Sequence, residues 1–181
     1  MQSHRYSLSL DRRLKDAIWN HMLTHPRGHE RLGFLFTRVI STPTHQVLTP
    51  VEWLPLHDAD LELGSGEALE MTQEAQARVI KHGHDLNAAL VEFHSHPWDM
   101  PAQFSGYDMH GFSEFVPYIR WRLKDRPYGA IVVSRSGFDS LIWDTEPDAP
   151  TAIDPLVVEG AILRPTGLTL RYRRRKYGTE I

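Results

Sequence analysis

The stretch "VEFHSHPWDMPAQFSGYD", Val91 to Asp108, holds residue types that could bind a metal ion. His94 and His96 stand two apart behind an apolar run, and residues two apart on a strand share one face. Two imidazoles on one face at the end of a strand can hold one ion. Pro97 stops the strand at once and turns the chain away, leaving the pair at an edge open to solvent. Asp108 follows three residues after Ser105, which is placed to cap a helix. A carboxylate in a first helical turn is favoured by the free amides there. Two histidines and one aspartate leave a fourth position for water, the pattern of a catalytic zinc site. Zinc lowers the pKa of water in that position to roughly 7.

Hydrolysis also needs a group to move protons. Glu30, in "GHERLGFLF", lies just ahead of a strand-like run. Pairing of that run beside the histidine strand would bring Glu30 to the ion. Two lookalikes fail. His82 and His84, in "KHGHD", fall in the last turn of an expected helix, where residues two apart point about 200° apart. His29 opens "HERLG", but Gly33 stands where a metal-binding helix needs its second histidine.

The elements that must carry these residues are legible in outline. A helix is expected from Asp11 to about His25, with Leu14, Ile18 and Met22 on one face. "RLGFLFTRVI" and "HQVLTPVEWLPL" read as a hairpin, with Pro50 and Pro55 marking the second strand as edge or irregular. "HDADLELGSG" reads as a polar loop, and "GEALEMTQEAQARVIKHGHD" as a second helix with Ala68, Met71, Ala75 and Val79 inward. "AALVEFH" is a strand, "WDMPAQF" an irregular loop, and Ser105 to about Leu123 a third helix. "YGAIVVS" and "FDSLIWD" are two further strands, and "LVVEGAILRPTGLTLRYRR" holds one or two short ones. Hairpins mixed with helices argue for an α+β fold.

Composition narrows the function classes. The chain has 181 residues, which suits a single domain, 1–181, with its own core. It contains no cysteine, so thiolate metal sites, disulfides and a cysteine nucleophile are excluded. No apolar run is long enough to span a membrane and no signal-peptide core is present, so the cytoplasm is the default location. Net charge is −3, yet the tail from Arg171 to Ile181 carries five basic residues against one acidic, leaving −7 on the rest. That tail is expected to be a solvated, partly disordered end. Without a basic, aromatic face elsewhere, neither nucleic acid nor membrane is an expected partner.

Taken together, Glu30 and Gly33 in "ERLG", then "HSHP" from His94 to Pro97, then Ser105 and Asp108 in "SGYD" resemble the JAMM (MPN+/JAB) metallopeptidases. The resemblance runs from about Glu30 to Trp143. The family's usual gap between proline and serine is six residues, and "WDMPAQF" makes it seven here. The resemblance implies zinc on His94, His96 and Asp108, with Glu30 as general acid and base. Ser105 would steady the oxyanion. Apart from the resemblance, Trp98 on the loop after Pro97 is a candidate wall for a substrate groove. The resemblance also implies an MPN/JAB-like (cytidine-deaminase-like) curved mixed sheet flanked by helices. The implied activity is cleavage after the C-terminal glycine of ubiquitin or a ubiquitin-like protein. The chain looks like a stand-alone bacterial member, of a kind that works beside E1-like and E2-like enzymes, including in antiphage operons. Two alternatives keep the same fold: a zinc peptidase trimming a sulfur-carrier protein or small peptide, and a non-catalytic scaffold.

Overall fold

A computed structural model describes residues 5–24, 29–63, 69–144 and 149–178. In chain order the elements are β1 (Tyr6–Leu10), α1 (Arg12–Leu23), β2 (Leu32–Ser41), β3 (Gln46–Pro55), a 3-10 turn (Asp58–Asp60), β4 (Leu61–Leu63), β5 (Leu69–Met71), α2 (Gln73–Asp85) and β6 (Ala89–Ser95). They continue as α3 (Gly106–Arg122), β7 (Tyr128–Ser134), β8 (Gly137–Trp143), β9 (Ile153–Val158), β10 (Ala161–Leu163) and α4 (Leu168–Tyr177). Eight strands form one mixed sheet in the order β10-β9-β1-β3-β2-β6-β7-β8, and β4 pairs with β5 apart from it. The fold is α+β, a curled mixed sheet flanked by helices.

Strand β6 lies between β2, antiparallel, and β7, parallel. All seven of its residues are buried. Side-chain alternation splits it between two cores. Leu90 joins Phe34, Phe36, Val79, Phe112, Val116 and Ile119 under α2 and α3. Val91 and Phe93 join Leu8, Ile18, Met22 and Leu35 under α1. Asp11 caps α1 as expected, accepting from the Leu14 amide at 2.7 Å, and Thr72 caps α2, accepting from the Ala75 amide at 3.2 Å.

Several expectations need correction. The second helix begins at Gln73, not near Gly66, because Leu69–Met71 pairs as a strand with Leu61–Leu63 and Thr72 supplies the cap. The first helix ends at Leu23; His25 and Ala68 lie outside the described residues. Strand β3 is irregular but not a true edge. Its first residues, Gln46–Leu48, pair with β1, and a bulge opposite Phe36 and Thr37 falls beside Pro50. Tyr6–Leu10, which has no local partner in sequence, is a strand beside β3 and β9.

The basic tail is a helix rather than a disordered end as far as Tyr177. A buried carboxylate holds its start. Asp139 accepts from the Gly167 amide at 2.9 Å, the Thr169 amide at 3.0 Å and the Thr169 hydroxyl at 2.7 Å. Asp139→Ala strands those donors, and removing the acceptor of buried hydrogen-bond donors costs about 1–3 kcal/mol. The variant is expected to lose about 2–3 kcal/mol in urea unfolding, with α4 the first segment to gain hydrogen exchange.

Candidate metal centre

The site assembles where β6 ends. His94 and His96 project from the face that also carries Leu90 and Glu92, toward α3. Asp108, at the third position of α3, reaches back to them. Its Oδ1 lies 3.6 Å from His94 Nε2 and its Oδ2 3.4 Å from His96 Nε2. One ligand atom from each of the three residues lies within 4.8 Å of the others, so the group could hold a metal ion. It is the only such group among the described residues.

Helix and strand fix these positions. Ser105 is the N-cap of α3: its hydroxyl accepts from the Asp108 amide at 3.1 Å, while its own amide donates to Asp108 Oδ2 at 2.5 Å. This reciprocal capping box sets the Asp108 rotamer. The Ser105 hydroxyl uses only a lone pair in that bond, so its proton is free for a further acceptor.

Glu30 arrives by strand pairing. Leu32 stands opposite His94, the Ser95 amide donates to the Arg31 carbonyl at 3.0 Å, and the Arg31 amide donates to Ser95 Oγ at 2.8 Å. Glu30 Oε1 then lies 3.8 Å from His96 Nε2. Gly33, three residues on, is required by packing: a Cβ there would sit 2.4 Å from the Trp53 ring, which packs edge-on against Phe93. The Arg31 guanidinium pairs with Asp58, tying the 3-10 turn to the start of β2. On the other side, Trp98 is exposed, with its ring 5.8 Å from that of His96.

The lookalike histidines stay apart from this centre. His82 lies 3.0 Å from Glu52 and edge-on against Phe36, whereas His84 faces Asp85.

The sequence reading passed over Glu92. It lies on a fully buried strand, where a charged residue is the informative exception. Glu92 Oε1 lies 3.2 Å from His94 Nδ1, and the Tyr128 hydroxyl donates to its Oε2. The signal was available: Glu92 precedes His94 by two, so it shares the histidines' face. His94 Nε2 is buried and has no hydrogen-bond partner. A lone pair so placed, on an imidazole whose other nitrogen is engaged by a carboxylate, fits a metal ligand. Three carboxylates around two imidazoles likewise fit a divalent cation.

The charges respond to one another. Burial opposes ionisation of Glu30 and raises its pKa, outweighing the two imidazoles that would lower it. For His94 burial alone would lower the pKa, but Asp108 and Glu92 override it and raise it to about 10. Burial pushes Asp108 up, yet His94, His96 and the Ser105 amide hold it far below the usual carboxylate range.

In metal-free protein these shifts have a definite sign. A histidine raised from 6.5 to about 10 stabilises the fold fully below pH 6.5 and loses that contribution as pH climbs through 10. A depressed Asp108 contributes above its ordinary 3.8 and loses that contribution only in strong acid. Urea unfolding with chelator present is therefore expected to show lower stability at pH 9 than at pH 6. His94→Gln should flatten that slope.

No protein-family model matches the chain, and no curated protein matches it.

Proposed function

We propose that this chain is a zinc metallopeptidase of the JAMM (MPN+/JAB) kind that hydrolyses the bond after the C-terminal glycine of a ubiquitin-like modifier. The observation that carries the reading is a joint one. His94, His96 and Asp108 converge with an orphaned imidazole nitrogen among them, and Glu30 stands 3.8 Å from His96. The mixed sheet, with α3 laid across the histidine strand, supports the MPN/JAB-like, cytidine-deaminase-like form of the α+β fold.

His94 Nε2, His96 Nε2 and an Asp108 oxygen would hold the ion, and two nitrogens with one carboxylate oxygen suit zinc. A bound zinc supplies Lewis acidity, which acidifies water and polarises a carbonyl.

The remaining steps belong to the chain. Glu30 takes the proton from the attacking water and returns it to the departing amine. Its raised pKa brings the carboxyl nearer the pH at which both transfers run well. Ser105 donates its free hydroxyl proton to the oxygen that gains charge at the tetrahedral carbon. Trp98 offers an exposed aromatic wall to the incoming tail. An extended tail, pairing by its backbone, would pass between the turn at Asp58–Asp60 and the loop after Pro97.

Elemental analysis tests the metal first. About one zinc per wild-type chain is expected, with none in His96→Ala. Glu30→Gln should keep its zinc and lose turnover by roughly 10²–10⁴-fold. The substrate is tested with modifier–lysine conjugates beside short peptides and sulfur-carrier fusions. Zinc-free His96→Ala with wild-type activity would remove the mechanism. Cleavage of short peptides alone would replace the modifier as substrate.

A further inference from the structure

Glu92 is a buried carboxylate with two polar partners and only 8% of its surface exposed. An ionised side chain so deep in a core is costly unless every lone pair is answered. Here Tyr128, itself 1% exposed, donates its hydroxyl to Oε2, and Oε1 faces His94 Nδ1 at 3.2 Å.

Topology brings the three together. In the parallel pairing of β6 with β7, Leu90 stands opposite Tyr128. Leu90, Glu92 and His94 share one face by alternation. The phenol on β7 therefore lies under the face of β6 that ends in the two histidines. Phe104 and Phe112 close over the His94 ring at centroid distances of 5.4 and 6.4 Å, which keeps water from replacing either partner.

We propose that Glu92, backed by Tyr128, is a positioning residue for the metal centre, an inference that rests on the zinc reading above. Acting through His94, it fixes the imidazole tautomer with the proton on Nδ1. The Nε2 lone pair is then presented to the ion, and the carboxylate strengthens it as a donor. Tyr128 fixes the carboxylate in turn, so that Oε1 faces the ring.

Zinc affinity, measured on the purified full chain by competition with a chromophoric chelator, tests the assignment. Outer partners of this kind typically account for 10–100-fold in metal affinity. Glu92→Leu is expected to weaken zinc binding by roughly 10–100-fold, Glu92→Gln by less because its amide oxygen can still accept from Nδ1–H, and Tyr128→Phe by the least. Unfolding temperatures of the metal-free proteins accompany each value. The visible spectrum of the cobalt-substituted protein, which senses ligand geometry, should shift in Glu92→Leu.

Glu92→Gln and Tyr128→Phe conserve shape, so they decide the matter if Glu92→Leu does not fold. A role in core stability alone would lower the unfolding temperature while leaving zinc affinity and the cobalt spectrum at wild-type values, and would overturn the assignment. Wild-type protein that binds zinc beside variants that bind it equally well would overturn this inference and leave the metallopeptidase reading standing. Wild-type protein that binds no zinc would overturn both.

Discussion

The period of two along β6 is the constraint on which the other elements depend. The strand is paired on both sides and covered on both faces, so each side chain has its direction set by the pleat. Leu90, Glu92 and His94 face α2 and α3, whereas Val91 and Phe93 face α1. A slip of one residue would exchange the two sets, burying the two histidines under α1 and turning Phe93 into the site. Both apolar cores therefore hold the histidines in register as firmly as any bond the histidines make themselves. Strand β2 inherits that register. Because Leu32 stands opposite His94, Glu30 falls beyond the strand end beside His96.

The second constraint is charge. Glu30, Glu92 and Asp108 are brought within reach of two imidazoles in a region largely closed to water. Carboxylates so placed need positive partners, and the chain offers them in graded form. Asp108 has the amides at the start of α3, the favourable end of the helix dipole. Glu92 has a phenol and a ring N–H. For Glu30 burial outweighs the two imidazoles, and its pKa is raised. Asp108 and Glu92 are thus held in place by hydrogen bonds.

Local pattern carried much of this into the sequence, and remote partners account for what it hid. The hairpin of β2 and β3, the histidine strand and the Ser105 cap each depend on neighbours in sequence, and each was legible. Tyr6–Leu10 shows an alternating pattern, but it becomes a strand only because Gln46–Leu48 and Ile153–Val158 flank it. The helix Leu168–Tyr177 looked like a charged tail because its cap is Asp139, far upstream, rather than a residue beside it. Glu92 was legible only in part. Its place two before His94 puts it on the histidines' face, but nothing in the run "AALVEFH" says that a tyrosine thirty-six positions on will meet it. The convergence of Glu30, His94, His96 and Asp108 could be anticipated from spacing, whereas the support behind His94 needed the sheet order.

The long connection between Pro97 and Ser105 shows how far that support extends. Seven residues separate Pro97 from Ser105, and a connection of that length between the histidine strand and α3 would blur the site if it moved freely. Its backbone is held along its length instead. Ser136 Oγ donates to the Met100 carbonyl at 2.9 Å, Thr166 Oγ donates to the Ala102 carbonyl at 2.6 Å, and the Phe104 amide donates to Thr169 Oγ at 3.0 Å. Two of these anchors stand at the start of α4, on the turn that Asp139 clasps. The C-terminal helix is thereby joined through Thr169 to the residue before the Ser105 cap, and the cap sets Asp108. Trp98 and Met100 remain exposed on the same loop, so these side chains ride on a backbone fixed from beneath. Strand, helix cap and three backbone anchors therefore determine where His94, His96 and Asp108 stand, and the loop only spans between them.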